Sequence, residues 1–280
     1  DDPDFHNWTF GADNDWYDLL LRTAAITNHS LNINGGSEKA VYAVGVSYLY
    51  QDGIMDVDNN YKRLNFRGSV DYDATNWLKV GFNGVFSNST QQVPNNQAWQ
   101  KAFNCPPIVA LYDEEYNDKS FPDKFGSPDA IGYTSTNFLN PIATAKYFDS
   151  SKENYQVLSN FYAQIDFIPG KLNFKTNYSY SFLSTQGREF TPKYYVSSWQ
   201  QSSTTQLTKN ENKYYNYIWD NTLTYNDQWG KHRFGAMAGY SMRQEQWRMF
   251  EGKASNVPDG ADEYWYIKNG DAAGATVKDD

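Results

Sequence analysis

The feature that most restricts the fold is a run of strict alternation. In "KRLNFRGSVDY", Leu64, Phe66, Val70 and Tyr72 fall on one parity, and Arg63, Asn65, Arg67, Ser69 and Asp71 fall on the other. A β-strand sends successive side chains to opposite faces, so this segment presents one apolar and one hydrated surface. The same period governs most of the chain from Asn28 onward, in eight segments separated by Gly-, Asp- and Asn-rich turns.

The first segments are "HSLNING" and "AVYAVGVSYLY", where Tyr42, Val44, Val46, Tyr48 and Tyr50 share a face and Ala43, Gly45 and Ser47 lie opposite. "WLKVGFNGVFSN" follows the alternating run above, with Leu78, Val80, Phe82 and Phe86 on the apolar side and Lys79, Gly81 and Asn83 on the other. "NYQVLSNFYAQIDF", "LNFKTNYSYSFL", "YYNYIWDNTLTY" and "HRFGAMAGYSMRQ" complete the set. Residues 1–27 read as a loop and a short helix leading into the sheet, since Trp16, Leu19, Leu20, Thr23 and Ala24 have helical spacing.

The connections alternate in length. "GGSEK", "DATN", "PGK" and "NDQWGK" are short, whereas the opposite ends carry Gln51 to Asn60 and then long loops over about 87–152, 185–212 and 248–280. Short turns on one rim and long loops on the other are the pattern of a transmembrane β-barrel.

Composition narrows the choice further. The chain is 18% aromatic but only 40% hydrophobic, too aromatic for disorder and without the 18 apolar residues in a row that a spanning helix needs. A net charge of −9 with no basic stripe argues against nucleic acid as a partner. The single cysteine, Cys105, excludes a disulfide framework and a CxxC metal site within this chain.

A soluble β-sandwich or propeller would also alternate. Against it, the segments reach about eleven residues, the length a tilted strand needs to cross a bilayer, where soluble strands typically run five or six. Aromatics also gather near segment ends, at Tyr42, Tyr48, Tyr50, Tyr72, Phe86, Tyr155, Phe167 and Tyr225, where membrane interfaces put them. The expected fold is all-β, an antiparallel transmembrane β-barrel segment. Its lipid-facing residues are expected to be Tyr42, Val44, Val46, Tyr48, Leu64, Phe66, Val70, Tyr72, Leu78, Val80 and Phe82. Its lumen-facing residues are expected to be Arg63, Asn65, Arg67, Asp71, Lys79 and Asn83.

"DWYDLLLRTAAITNHSLNINGGSEKAVYAVGVSYLYQDGIM" resembles the start of the barrel region in the SusC/RagA family of TonB-dependent outer-membrane transporters. Asp15, Trp16, Arg22, Asn28, His29, Leu31, Gly35, Gly36, Lys39, Tyr42, Tyr48, Gln51 and Gly53 carry the likeness. The next hairpin is similar too, at Arg63, Asn65, Arg67, Asp71, Trp77, Lys79 and Gly81, so the resemblance covers roughly residues 13 to 90, with a weaker echo at Asn140 and Pro141. It implies part of a 22-stranded barrel with an N-terminal plug, driven through TonB and capped by a SusD-like surface lipoprotein. The implied home is the outer membrane of a Bacteroidetes-like bacterium, and the implied substrates are glycans or oligopeptides. The plug and TonB box are not in this sequence, and its eight segments read as strands two through nine, with the family's first strand falling before Asp1. No targeting segment opens the sequence, and both ends look like those of a fragment.

No catalytic constellation is expected, so the chain reads as a non-enzyme. His6, His29 and His232 are scattered, and no GxSxG, HExxH or phosphate-cradling loop occurs. "YDEEYND" gathers four carboxylates but lacks the ligand order of a calcium loop, so it reads as a solvated acidic loop, with calcium a weak alternative and no other cofactor or metal. Trp99, Tyr133, Tyr195 and Trp199 are loop aromatics able to stack on sugar rings or peptide side chains. The same aromatics suit a lid-docking surface or plain loop packing. The functional expectation is glycan import, with oligopeptide import, a soluble carbohydrate-binding β-sandwich and a passive porin as alternatives.

Overall fold

The computed structural model describes residues 12–117, 121, 123–271 and 274–279. His6 and Asp118 therefore lie outside the described residues. Nine strands form one continuous antiparallel sheet in the order β1-β2-β3-β4-β5-β6-β9-β10-β11. They are β1 (Ile26–Gly36), β2 (Ala40–Asp52), β3 (Asn60–Asp73), β4 (Leu78–Gln92), β5 (Asp149–Ile168), β6 (Leu172–Thr191), β9 (Gln206–Trp229), β10 (His232–Ser255) and β11 (Thr276–Asp279). A two-stranded hairpin, β7 (Tyr194–Ser197) and β8 (Gln200–Ser202), stands apart from it. The eight expected strands are β1–β6, β9 and β10, and β7, β8 and β11 are additional.

Local chemistry closes the short turns. Ser37 Oγ accepts from the amides of Lys39 and Ala40, and Thr75 Oγ1 accepts from those of Trp77 and Leu78. At the other two turns Gly170 and Gly230 take φ of +75° and +58°, a region that costs a side-chain-bearing residue dearly.

The long ends differ from expectation. β6 and β9 continue to Thr191 and from Gln206, so with β7 and β8 between them the segment expected as a loop over 185–212 is mostly strand, and β10 runs to Ser255. Alternation in hydrophobicity stops where one face no longer needs apolar side chains, but backbone pairing does not depend on that contrast and carries on. The leading helix is also shorter than its spacing predicts. The helix α1 spans only Trp16–Leu20, capped by Asp15, whose side chain accepts from the amides of Tyr17 and Asp18. Thr23 and Ala24 fall outside it because the chain turns extended at Leu21 to bridge Met55.

Buried side chains concentrate at the long-loop end. The β4–β5 connection carries helices α2 (Gln97–Asn104) and α3 (Pro141–Lys146), and Trp16, Leu20, Met55, Ala98, Ala102, Cys105, Val109 and Ala145 form one cluster there. Phe125, Ala143 and Val196 form a second cluster. Burial pushes the Cys105 thiol up to about 12, so it stays a neutral packing group. The third cluster joins Phe190, Leu207 and Ala254 to Val257 and Trp265, whose ring stacks on Phe190 at 3.8 Å.

Asn140 ties this layer together. Its Oδ1 caps α3 by accepting from the amides of Ile142 and Ala143, and its Nδ2 donates to Gly126 O at 2.9 Å. Its own amide donates to Gln200 Oε1, and Gln200 Nε2 donates back to Asn140 O, both at 2.9 Å. Asn140 is the first of the two residues of the weak "NP" likeness, and the fold gives it a structural task.

Candidate functional site

The register sorts the wall into two faces. Directly opposed residues share a face, and one such row reads Tyr42, Val70, Phe82, Phe161, Tyr178, Trp219 and Met242 from β2 to β10. All eleven residues expected to be apolar-facing lie on this one side: Tyr42, Val44, Val46, Tyr48, Leu64, Phe66, Val70, Tyr72, Leu78, Val80 and Phe82. Leu31 and Ile33 extend the face across β1, and Phe174, Tyr217, Leu223 and Tyr240 extend it toward β10. From Tyr155 to Ile165 on β5, Leu172 to Phe182 on β6, Tyr215 to Tyr225 on β9 and Phe234 to Met242 on β10, no Asp, Glu, Lys or Arg occurs on this face.

Among the described residues no second layer covers the band. Phe66, Phe161, Tyr178, Trp219 and Tyr240 are all more than 40% exposed, the reverse of a sandwich interior. The band also runs obliquely to the strands. On β2 it extends from Tyr42 up to Tyr50, whereas on β10 it extends from Phe234 up to Met242, which stands in the Tyr42 row. The row at the bottom of the band on β2 is thus its top on β10, a slip of eight residues over six strand spacings. At ~3.3 Å per residue and ~4.8 Å between strands this is a slope of about 40°, the tilt of strands in a barrel wall.

Tyrosines mark both edges. Tyr50 and Tyr155 each donate a hydroxyl to a carboxylate two residues toward the long loops, Asp52 at 2.8 Å and Glu153 at 2.6 Å. At the short-turn edge Tyr225 donates to Asp227 at 3.0 Å, and Asp227 also pairs with Lys171 at 2.8 Å. Each ring keeps its apolar body in the band and its polar tip outside.

The other face is polar and cross-linked by side chains. It carries Arg63, Asn65, Arg67, Asp71, Lys79 and Asn83, the six residues expected there. Asn65 donates to Ser47 Oγ at 3.1 Å, Arg67 to Asn32 Oδ1 at 2.6 Å, and Tyr162 to Asp71; Lys79 lies 3.9 Å from Asp73. Tyr162 lies flat over Gly81 where a Cβ would collide with its ring. That accounts for Gly81 in a strand interior.

The four loop aromatics occupy separate settings. Trp99, on α2, meets Tyr17 edge-on at 5.2 Å and is 43% exposed. It lines a rim cleft of about 700 Å³ with Asn59, Tyr61, Gln91, Gln92 and Asn96. Tyr133 packs on Phe138 at 5.0 Å. Tyr195 lies in β7, where its carbonyl accepts from Asn117, and Trp199 projects from the β7–β8 turn. The amides of the cleft were not among the expected site residues, although "QQVPNNQAW" displays them.

His29 on β1 opposes Tyr48, and His232 opens β10 opposite Trp229. Among the described residues no three His, Cys, Asp or Glu side chains come together as a metal site, and no helix is long and apolar enough to cross a membrane. Asp113, in the acidic loop, accepts from the Tyr116 amide at 2.9 Å.

No protein-family model matches the chain. Among curated proteins it is 29% identical over 247 residues to the TonB-dependent receptor P3 of Formosa agariphila, covering 84% of this chain and 23% of the relative. It is 27% identical over 266 residues to receptor P26 of the same organism, covering 92% and 25%. It is 32% identical over 108 residues to the TonB-dependent receptor SusC of Bacteroides thetaiotaomicron, covering 37% and 10%. The chain thus spans a quarter or less of the length of these relatives, which are receptors and not enzymes. Among solved structures, the RagAB peptide importer in its closed-closed state superposes with a TM-score of 0.74 at 16% identity, over 96% of this chain and 30% of the other. The open-open state gives 0.70 at 17% identity, over 96% and 29%. Sequence kinship along most of the chain and a shared antiparallel wall together identify it as a barrel segment of a SusC/RagA-like TonB-dependent receptor.

Proposed function

We propose that this segment is part of the lipid-contacting wall of an outer-membrane importer of oligosaccharides. The uncharged oblique band carries the reading, because an uncovered apolar face nine to eleven residues tall matches a hydrocarbon layer crossed by tilted strands. The band faces lipid and the Arg63–Asn83 face lines the lumen. A plug and the remaining strands lie elsewhere in the longer protein, TonB supplies the energy, and a SusD-like lipoprotein closes the long-loop end. The setting is a Bacteroidetes-like outer membrane.

Glycan cargo is supported by the rim cleft, where Trp99 and Tyr61 offer ring faces beside neutral amides suited to hydroxyl-rich ligands. Peptide cargo is the second reading, favoured by the likeness in fold to the RagAB peptide importer.

The test uses the full-length receptor in its own membrane. Heat-modifiable migration in the outer-membrane fraction and TonB-dependent growth on an oligosaccharide are expected. A monodisperse full-length protein in detergent-free buffer would sink the membrane reading. Growth on oligopeptides alone, unchanged on glycans when the receptor is deleted, would overturn the glycan assignment.

A further inference from the structure

The polar face of the wall is not uniform. From Asn83 to Gln91 on β4, Asn154 to Asn160 on β5, Asn177 to Gly187 on β6 and Thr208 to Ile218 on β9, no Asp, Glu, Lys or Arg occurs on it. Amides and hydroxyls fill most of this field, and it is bordered by Arg63 and Arg67 on β3 and by Arg243 and Glu245 on β10. Within it lies a depression of about 470 Å³, whose lining includes Asn83, Leu158, Asn160, Ser179, Ser181 and Asn216 and carries no charged side chain. A charged group of a cargo would meet no counter-ion there, and a confined charge without a partner is costly.

A large ring stands at the border of the field. Trp247 lies on the polar face of β10, opposite Tyr214, and its neighbour on that face, Glu245, lies opposite Asn216 at the edge of the depression. Lipid does not account for Trp247, because the apolar band is on the other side of the sheet. The side chain is 67% exposed, with Tyr214 as its ring neighbour at 5.4 Å between centroids. Tyr214 also donates its hydroxyl to Glu245 Oε1 at 2.7 Å, and Arg243 pairs with the same carboxylate. One tyrosine thus positions both a ring and an acceptor. The Arg243 charge is balanced by Glu245, and a carboxylate has room for further donors. An open ring face beside a fixed acceptor suits a pyranose, which stacks its C–H face on the ring and donates its hydroxyls to the oxygen.

We infer that the lumen wall binds an uncharged oligosaccharide, one sugar stacked on Trp247 with its hydroxyls on Glu245, and the adjoining sugars lying across the depression from Asn216 to Asn83. The inference rests on the glycan reading above and adds a second station, inside the lumen, to the cleft at the rim. It also sets a selection rule. Neutral chains find donors and acceptors along the field, whereas uronic or sulfated chains, and peptides with charged termini, leave their charges unpaired in it.

The experiment measures uptake by the full-length receptor in its own outer membrane. The probes are maltodextrin, laminarin and mannan oligosaccharides, each supplied neutral and with its C6 hydroxymethyl groups oxidised to carboxylates. Uptake of a neutral chain is expected, roughly tenfold or more faster than that of its oxidised form at limiting concentration. Trp247→Ala should lose about tenfold of this uptake, and Trp247→Phe no more than about threefold. Leu158→Lys, which puts a cation into the depression, should narrow or reverse the preference for the neutral form. Heat-modifiable migration should be unchanged in all three variants, because Trp247 and Leu158 are both exposed. Equal uptake of the two forms, or unaltered uptake in Trp247→Ala, would overturn the lumen site. So would a photo-cross-linker at position 247 that captures the plug as efficiently with cargo as without it. If deleting the receptor leaves uptake of every neutral chain unchanged, the glycan reading fails and this inference with it. Uptake that needs the receptor but ignores Trp247 fails the inference alone.

Discussion

The lower and upper halves of the same strands are stabilised by different means. Around Phe161 and Tyr178 the wall is one sheet thick, and none of the described residues covers its apolar side chains. Around Phe190 and Leu207, the same two-faced strands meet Trp265 and Val257 from the segment after β10, and the apolar face is closed by the chain itself. Helices α1–α3 pack among themselves and the loops around them, burying Leu20, Ala98 and Ala143, with Phe125 beside α3. A fluid partner asks only that a side chain be apolar, whereas a packed protein interior also specifies its volume.

That contrast can be broken most strongly in the packed half. Phe125 is fully buried, stacked on Tyr112 at 5.2 Å and edge-on to Tyr147 at 5.8 Å. Phe125→Ala should cost about 3–5 kcal/mol locally, read as faster hydrogen exchange over 111–147 in the full-length receptor while the wall stays protected.

In the band the sensitivity inverts. Phe161→Arg, in the middle of β5, should cost about 2–4 kcal/mol in the refolding free energy of the receptor into lipid vesicles. Phe161→Leu should be close to neutral in the same titration, since lipid refills the lost volume. If Leu proves as costly as Arg, the face is packed against protein and the membrane assignment is wrong.

Asn140→Ala removes a helix cap and leaves the buried Gly126 carbonyl without its side-chain donor, and about 2 kcal/mol is expected. Limited proteolysis should then cut near α3 and the β7–β8 hairpin together, because the Gln200 side chain joins β8 to the Asn140 backbone at the start of α3.

The smallest effect is electrostatic. Burial works to raise the Asp123 carboxyl, but hydrogen bonds from Lys146 and Tyr147 outweigh it and hold the group below its ordinary value. A depressed folded value contributes stability above the unfolded pKa and loses it as the pH falls through the folded one. Exchange at Lys146 and Tyr147, corrected for intrinsic rate, should therefore rise below about pH 4 by an amount near 0.5 kcal/mol. Asp123→Asn should remove that dependence on pH.

How much could be read in advance follows from what each half requires. The two parities of β2, β3 and the start of β4 were legible because a face that is apolar throughout is recorded directly by a period of two. The strand tops were not legible: from Gly187 to Thr191 and from Gln206 to Lys213 neither face is uniformly apolar, yet the backbone ladder continues without interruption. Trp99 was named for its ring chemistry, and Gln91, Gln92 and Asn96 stand beside it in the sequence, but Asn59 comes from the β2–β3 connection and joins them only through the fold. The uncharged field was invisible for the same reason, since Asn83 and Asn160, or Ser181 and Asn216, become neighbours only once register is set.

By itself, the sequence determined the class of structure, the two faces of the wall, the short turns and the kinship, because each is encoded within a span of neighbouring residues. Only the tertiary structure decided the oblique course of the band, the lengths of β5, β6, β9 and β10, the union of Asn140 with Gln200 and the uncharged field beside Trp247. Those depend on which residue pairs with which across the sheet and the loops, and pairing between distant segments leaves no periodic trace in either one.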